Sequence, residues 1–415
     1  MNPDISRDTF DRRKHYAQVL LQQGRVTLDA DWNEQSAILL HLLRTLARDI
    51  FGHHGGIDGE ETGFLIDLVR REGKIVDLSI SAGRYYVDGI LCENEPLRDP
   101  NTGTVSDPKI GCTYLTQPDY PLPEGTGLPQ QPYLVYLDVW ERPIGYLEDP
   151  GIREVALGGP DTAARSKVIW QIKTCQGDPA DGHWNPQFQP QYRGLLRARV
   201  TPTEPSRYRG AENQLYRVEV HTGGWAGEAT FKWSRDNGSV CFGVRNLSDG
   251  IALLNSLGSD RGRGLEVDNW VEVVDEAMVL RGEPCPLAQV AEVLADEPAV
   301  RLKPAIDPLP HLPSKPGTPL LLRRWDSGAV AVMEDQGWLA LEDGIEVQFA
   351  PAPGNERNVY RTGDYWLIPA RPATGAIEWP SYSRPPHGVC HHYALIAAVH
   401  GGAVTSKRHL VSFGR

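Results

Sequence analysis

The sequence predicts a mainly β protein, built from antiparallel sandwich- or barrel-like domains with one N-terminal α-helix and long loops. Three observations carry that expectation. Glycine (42) and proline (33) are both abundant, so turns are frequent. Tryptophan (11) and tyrosine (15) outnumber phenylalanine (8), and such residues suit pleated, half-buried surfaces. Short runs that alternate apolar and polar side chains recur with turn residues between them.

The elements follow in order. Residues 1–32 are polar and mixed, with two short extended pieces around Gly24. A helix comes next, with Asp31 placed as N-cap and Glu34 three residues on as its capping-box partner. Ile38, Leu39, Leu42, Leu43, Leu46 and Ile50 recur at helical spacing as one apolar face, and Gly52 stops the helix. From Ile75 the period changes to two. Residues 75–81 and 84–91 are expected to form a hairpin turned at Ala82-Gly83, and 98–132 a long loop.

Strands are expected at 133–140, 167–173, 195–200, 216–221 and 229–234, with a loop over 176–193. Asn237-Gly238 is the strongest short hairpin signal and should join 229–234 to 240–244, because a type I′ turn needs two positive φ angles. A small helix is expected around 287–294, a Pro-rich connector over 304–319, and strands at 320–325, 345–349, 365–368, 393–399 and 409–413. The expected organisation is an attachment segment and helix over 1–60, the main β domains over 61–305 and a C-terminal β region over 306–415.

The net charge of -12 argues against nucleic acid, which a chain without a basic patch would repel. The cysteines (Cys92, Cys112, Cys175, Cys241, Cys285, Cys390) form no C-x-x-C pair and are expected as thiols of a protein folded in the cytoplasm. The N-terminus has no apolar signal-like core, and no stretch reaches the roughly 18 apolar residues of a membrane span. Cytoplasmic synthesis without membrane insertion is the expectation, with the product part of an intracellular or released particle.

Few groups converge on chemistry. His387, Cys390, His391 and His392 offer zinc-type ligands in one stretch, but neighbours on a strand point to opposite faces, so no metal is expected. Asp29, Asp31 and Glu34 read as helix N-terminal charge. Glu141, Glu148 and Asp149 have the residue types of a glycosidase pair, whose diagnostic is separation in space. No catalytic residue and no cofactor are expected. Trp225 and Trp379 fall in loops and are candidates for interface anchors or a sugar-stacking platform.

The run from Ser6 to Gln35 resembles a bacterial family known as a domain of unknown function, and so do 133–142, 153–162, 213–221, 231–239 and 389–394. Lys14, Tyr16, Val19, Leu20, Gln22, Gly24 and Arg25 are also similar to the opening of phage tail-fibre and baseplate proteins. The resemblance implies a structural part of a phage-tail-like contractile injection particle. It implies a homo-oligomer, with a trimer as the expected form, docked on baseplate or fibre proteins. Phe10, Tyr16, Val19, Leu20, Leu21 and Trp32 are the expected attachment residues, since they are many apolar side chains for a terminus. The alternative is a carbohydrate-binding or carbohydrate-cleaving β module.

Overall fold

The computed structural model describes residues 2–59, 61–99, 102–105, 107–177, 190–258, 262–294, 296–306, 319–334 and 336–412. Strand (41%) far exceeds helix (11%), so the β-dominated expectation holds, with a six-stranded antiparallel barrel, a half-barrel and an N-terminal helix.

The chain forms two compact units, each assembled from segments distant in sequence. One, the helix unit, comprises Thr9–Arg142, Val168–Gln187 and Cys390–Arg415. The other, the barrel unit, comprises Met1–Asp8, Pro143–Lys167 and Phe188–Val389.

In the helix unit three sheets surround one core. The first runs in the order Leu410–Val411, His54–Ile57, Gly83–Val87, Ile90–Asn94. The second is Ile66–Arg71, Lys74–Ser81, Ile110–Thr113; the third is Ala403–Ser406, His392–His400, Tyr133–Ile144, Arg165–Gln176. Leu78, Ile80, Tyr85, Val135, Leu137, Ile172 and Ile396 are fully buried where these sheets meet. Alternation sends these side chains inward.

The expected hairpin of 75–81 with 84–91 does not form. The two runs are strands, but they belong to different sheets: Lys74–Ser81 pairs with Ile66–Arg71 and Ile110–Thr113, and Gly83–Val87 with His54–Ile57 and Ile90–Asn94. The reversals lie at Glu72-Gly73 (φ 50° and 76°) and Asp88-Gly89 (φ 48° and 80°), each a two-residue loop with two positive φ angles.

In the barrel unit, Cys241–Ser248, Ile251–Leu254, Ala299–Lys303, Leu287–Val293, Trp270–Val274 and Leu320–Trp325 close into a barrel filled by Ala252, Leu254, Val271, Val273, Val290 and Leu322. Closure removes the exposed strand edges that invite mispairing. Beside the barrel, a five-stranded sheet (Val330–Ala331, Thr230–Ser234, Gln214–Thr222, Tyr365–Arg371, Ala376–Ile377) shares a core with a three-stranded one (Leu339–Ala340, Ile345–Ala350, Leu195–Val200).

Asn237 (φ 56°) and Gly238 (φ 61°) adopt the backbone expected of them, yet the turn passes the chain from the five-stranded sheet to the barrel instead of closing a hairpin. The small helix expected at 287–294 is a strand; the helix is Glu276–Arg281, with the Asp275 carboxylate accepting from the Ala277 and Met278 amides at 2.8 and 3.1 Å. Most of the connector 304–319 and of the loop 176–193, and Phe413, lie outside the described residues.

The long helix, α1, spans Asp29–Phe51. Its N-cap is Leu28, which makes no side-chain cap bond, so Asp31 sits inside the first turn and not at the cap. Glu34 accepts a hydrogen bond from the Thr9 hydroxyl at 2.6 Å instead of closing a capping box. Gly52 ends the helix as expected, its amide donating to the Arg48 carbonyl.

Gly89 sets how close α1 lies to the sheet, since a Cβ there would collide with the Arg44 backbone. Gly89→Ala should therefore destabilise the protein by roughly 2–4 kcal/mol in chemical denaturation, from strain and overpacking together. Gly73→Ala, with similar φ but open space around it, should cost only about 1 kcal/mol.

Candidate docking surface

α1 packs on its own unit through a mixed side, on which the buried residues Ala30, Ile38 and Phe51 are apolar and Arg44 makes an ion pair. Counting Leu43 as position a of a heptad, the packed positions b, c and f hold Ala30, Ala37, Arg44 and Phe51; Asp31, Ile38 and Thr45; and Glu34, His41 and Arg48. Arg44 grips the Glu141 carboxylate through two bonds of 2.9 Å. Phe51 stacks on Tyr86 at 4.5 Å, and Ile38 and Ala30 are buried. The segment before the helix runs back along it: the Phe10 ring lies 5.6 Å from His41, and the Val19 amide donates to the Gln35 side chain at 2.8 Å.

The opposite side is apolar and faces outward. Trp32, Leu39, Leu40, Leu42, Leu43, Leu46 and Ile50 are between 42% and 68% exposed. The expected apolar helix face thus exists, but of its members only Ile38 turns inward. Of the expected attachment residues, Phe10 and Val19 are half-buried beside α1, while Tyr16, Leu20, Leu21 and Trp32 stand in solvent with Val26 and Leu28. Monomeric proteins seldom expose a contiguous apolar patch above about 300–600 Å². The α1 face alone presents roughly 700 Å² of large side chains on the exposures above, which puts it past that range.

Two carboxylates of the helix unit organise the histidines that the sequence singled out. Asp88 receives His392 Nδ1 at 2.9 Å and His53 Nδ1 at 3.2 Å, with Arg48 Nε at 3.5 Å. Burial pushes its carboxyl up, but the two histidines and Arg48 outweigh that and hold it below the usual carboxylate range. Asp138 is buried between His391 Nδ1 (2.7 Å) and Lys173 Nζ (2.8 Å), and those partners likewise overcome burial and lower its pKa. The His391 ring stacks on Trp140 at 4.6 Å and on Tyr393 at 6.0 Å.

His391 and His392 therefore serve two different carboxylates from opposite faces of the chain. His387, in the barrel unit, accepts a hydrogen bond from the Leu367 amide at 3.0 Å, and Cys390 is exposed. Among the described residues no group of three or more His, Cys, Asp or Glu is arranged to hold a metal ion. No disulfide joins the six cysteines. Glu141 is taken by Arg44, Glu148 accepts from the Gly145 amide, and Asp149 caps the turn at Gly151.

In the barrel unit the charged groups are buried and paired. Lys232, 2% exposed, donates to Glu272, lies 3.4 Å from Glu219 and sits 4.4 Å from the centre of the Trp325 ring. Arg217 donates to Glu219 at 2.5 Å and lies over Tyr365. Trp325 donates to the other Glu272 oxygen at 2.9 Å. Glu219 and Lys232 belong to the five-stranded sheet, Glu272 and Trp325 to the barrel, so the network ties those two layers together. Sequence reasoning missed it, because single charges inside strand runs do not announce their burial.

The two candidate tryptophans differ. Trp225 is 39% exposed, with the Arg357 guanidinium 4.4 Å from its ring centre. Trp379 is half-buried against the core shared by the two sheets and meets His387 edge-on. Trp379 is therefore a packing residue in part, and only Trp225 offers a surface ring.

The chain matches the Family of unknown function (DUF6519) over residues 1–187 and 199–406. It belongs to that family. The expected membership thus covers nearly the whole chain, including α1, both carboxylate–histidine pairs and the Lys232 network. No curated protein and no solved structure matches it.

Removing one partner of a buried ion pair strands the other charge. Lys232→Met should cost about 3–5 kcal/mol in chemical denaturation, and adding Glu219→Gln and Glu272→Gln should recover part of it. A second expectation concerns pH. Burial and the neighbouring Lys232 push the His221 pKa down from 6.5 to about 4, so the folded state favours the neutral ring. The unfolded chain then binds more protons between those values, and this contribution to stability is lost as pH falls from 6.5 to 4. Burial raises Asp364 to about 6, which acts in the opposite sense and weakens the fold as pH rises through that value. His221→Gln should flatten the fall in melting temperature between pH 6.5 and 4; an unchanged slope would exclude His221 as its source.

Proposed function

We propose that this chain is a structural assembly protein of a phage-tail-like contractile injection particle, acting as a baseplate or tail-fibre part that docks through its N-terminal segment. The observation that carries the reading is the row of large apolar side chains left in solvent between Tyr16 and Ile50, most of them on a helix that buries only Ala30, Ile38 and Phe51. A helix that buries three apolar side chains and displays a row of leucines is suited to being covered by another surface. The kind of particle comes from the likeness of the N-terminal run to phage tail-fibre and baseplate proteins. The partner is a neighbouring particle component with an apolar groove, to which Tyr16, Leu20 and Leu21 supply the anchors and Arg13, Lys14 and Arg25 a polar rim.

Substitution tests this better than truncation. Residues 2–8 belong to the barrel unit: Asn2 donates to the Asn237 carbonyl at 3.0 Å, and Arg7 pairs with Glu378 at 2.9 Å. Removing the terminus would disturb that unit. Tyr16→Ser, Leu20→Ser and Leu21→Ser together touch exposed side chains only. The triple variant should melt like the unaltered protein but be missing from particles purified from cells that make it. Particles carrying the variant at the normal level would contradict the attachment role.

A further inference from the structure

The outward face of α1 has a finer order than an apolar patch. Leu39, Leu43, Leu46 and Ile50 are spaced by four, three and four residues, and Trp32 and Ser36 continue the same spacing toward the N-terminus. With Leu43 as position a, Ser36 and Ile50 are also a, and Trp32, Leu39 and Leu46 are d. From Trp32 to Ile50 this is a sustained, uncharged heptad seam; Asp29, also at a, precedes it in the first turn of the helix. Each of these large seam residues is at least 42% exposed.

The flanks argue for what covers it. In a pair of unlike helices, charges at e and g select the partner. Here e holds Asn33, Leu40 and Ala47, and g holds Gln35, Leu42 and Asp49, so one charge stands among six positions. The arginines of the central and C-terminal turns are engaged at home: Arg44 with Glu141 and Arg48 with Asp88. A seam without charge is complementary to itself, which is what a symmetric contact between identical surfaces requires. Leucines at e and g widen the stripe beyond a two-helix seam, and Leu40 and Leu42 would remain wet in a dimer.

We infer that α1 is the self-association element of the chain, three copies packing seam to seam into a helical bundle. The area agrees. A standard interface takes about 800 Å² from each partner, and the α1 face offers roughly 700 Å² before any contribution from the flanking segment. The inference rests on the assembly reading only in supplying its homotypic contact; the attachment anchors Tyr16, Leu20 and Leu21 lie in the segment before α1 and hold no seam position.

Sedimentation of the full chain at micromolar concentration tests it. The unaltered protein should have the mass of a trimer, and Leu43→Glu with Leu46→Glu should have the mass of a monomer with an unchanged far-ultraviolet spectrum, since both side chains are exposed in the single chain. Ser36 is the one polar residue at the seam positions between Trp32 and Ile50, its hydroxyl bonded to the Trp32 carbonyl at 3.2 Å. Ser36→Leu should tighten association by at least about tenfold, because a leucine becomes buried only if the seam is covered. A monomeric unaltered protein, a trimer indifferent to the two glutamates, or an association constant unmoved by Ser36→Leu would overturn the inference. A monomer that still enters particles would overturn self-association and leave the assembly reading standing. A trimer of the expected behaviour found in no particle would support the seam while sinking the assembly reading.

Discussion

The Asp88-Gly89 turn sets the orientation of α1. Its glycine lets the helix backbone approach the sheet, and its aspartate reaches Arg48 at the end of the helix together with His53 and His392. The Arg44–Glu141 clamp fixes the middle of the same face. With the burial of Ala30 and Ile38 and the stacking of Phe51 on Tyr86, these contacts hold α1 with its leucines outward. Turning the leucine row inward would bury more apolar surface, each leucine being worth about 1.5–3 kcal/mol, but would lose the Ile38 and Phe51 packing and the Arg44–Glu141 clamp. Here steric fit and charge-assisted hydrogen bonds decide the orientation, and the apolar side remains available.

The same division of labour recurs in the barrel unit. Its two cores, in the barrel and between the neighbouring sheets, are apolar and closed. The layers are joined by Lys232, Glu219 and Glu272, whose burial is weak as a source of net stability and strong as a penalty on any misalignment that would unpair them. Such a network fixes how the layers meet. On the proposed assembly role that rigidity is useful, because an interface gains affinity when its free form already has the bound geometry.

Much of this was legible in the sequence, and the failures have identifiable causes. The strands at 195–200 and 320–325 were readable to the residue, because alternation there is bounded by turn residues. The hairpin of 75–81 with 84–91 failed because Ala82-Gly83 was given a reversal that belongs to Asp88-Gly89, a stronger turn pair standing six residues further on. At 287–294 a short apolar run satisfied both periods, and the sheet claimed it. Asn237-Gly238 bent as its chemistry requires, but local chemistry does not say which sheet the chain enters next. The apolar helix face was visible as a pattern; that it points to solvent was not, because Arg44 and Glu141 are 97 residues apart. The candidate histidines were correctly split between opposite faces, while their carboxylate partners lay too far along the chain to be paired by eye.

On the proposed reading the leucine side of α1 is a contact surface, and the side that carries Ala30, Ile38, Arg44 and Phe51 is its anchor. Amide hydrogen exchange across α1, followed as the protein is diluted from high micromolar to nanomolar concentration, addresses it most directly. Protection of residues 36–50 that falls with dilution, while the sheet strands keep theirs, is the predicted result. Exchange in α1 that is identical at every concentration would contradict it.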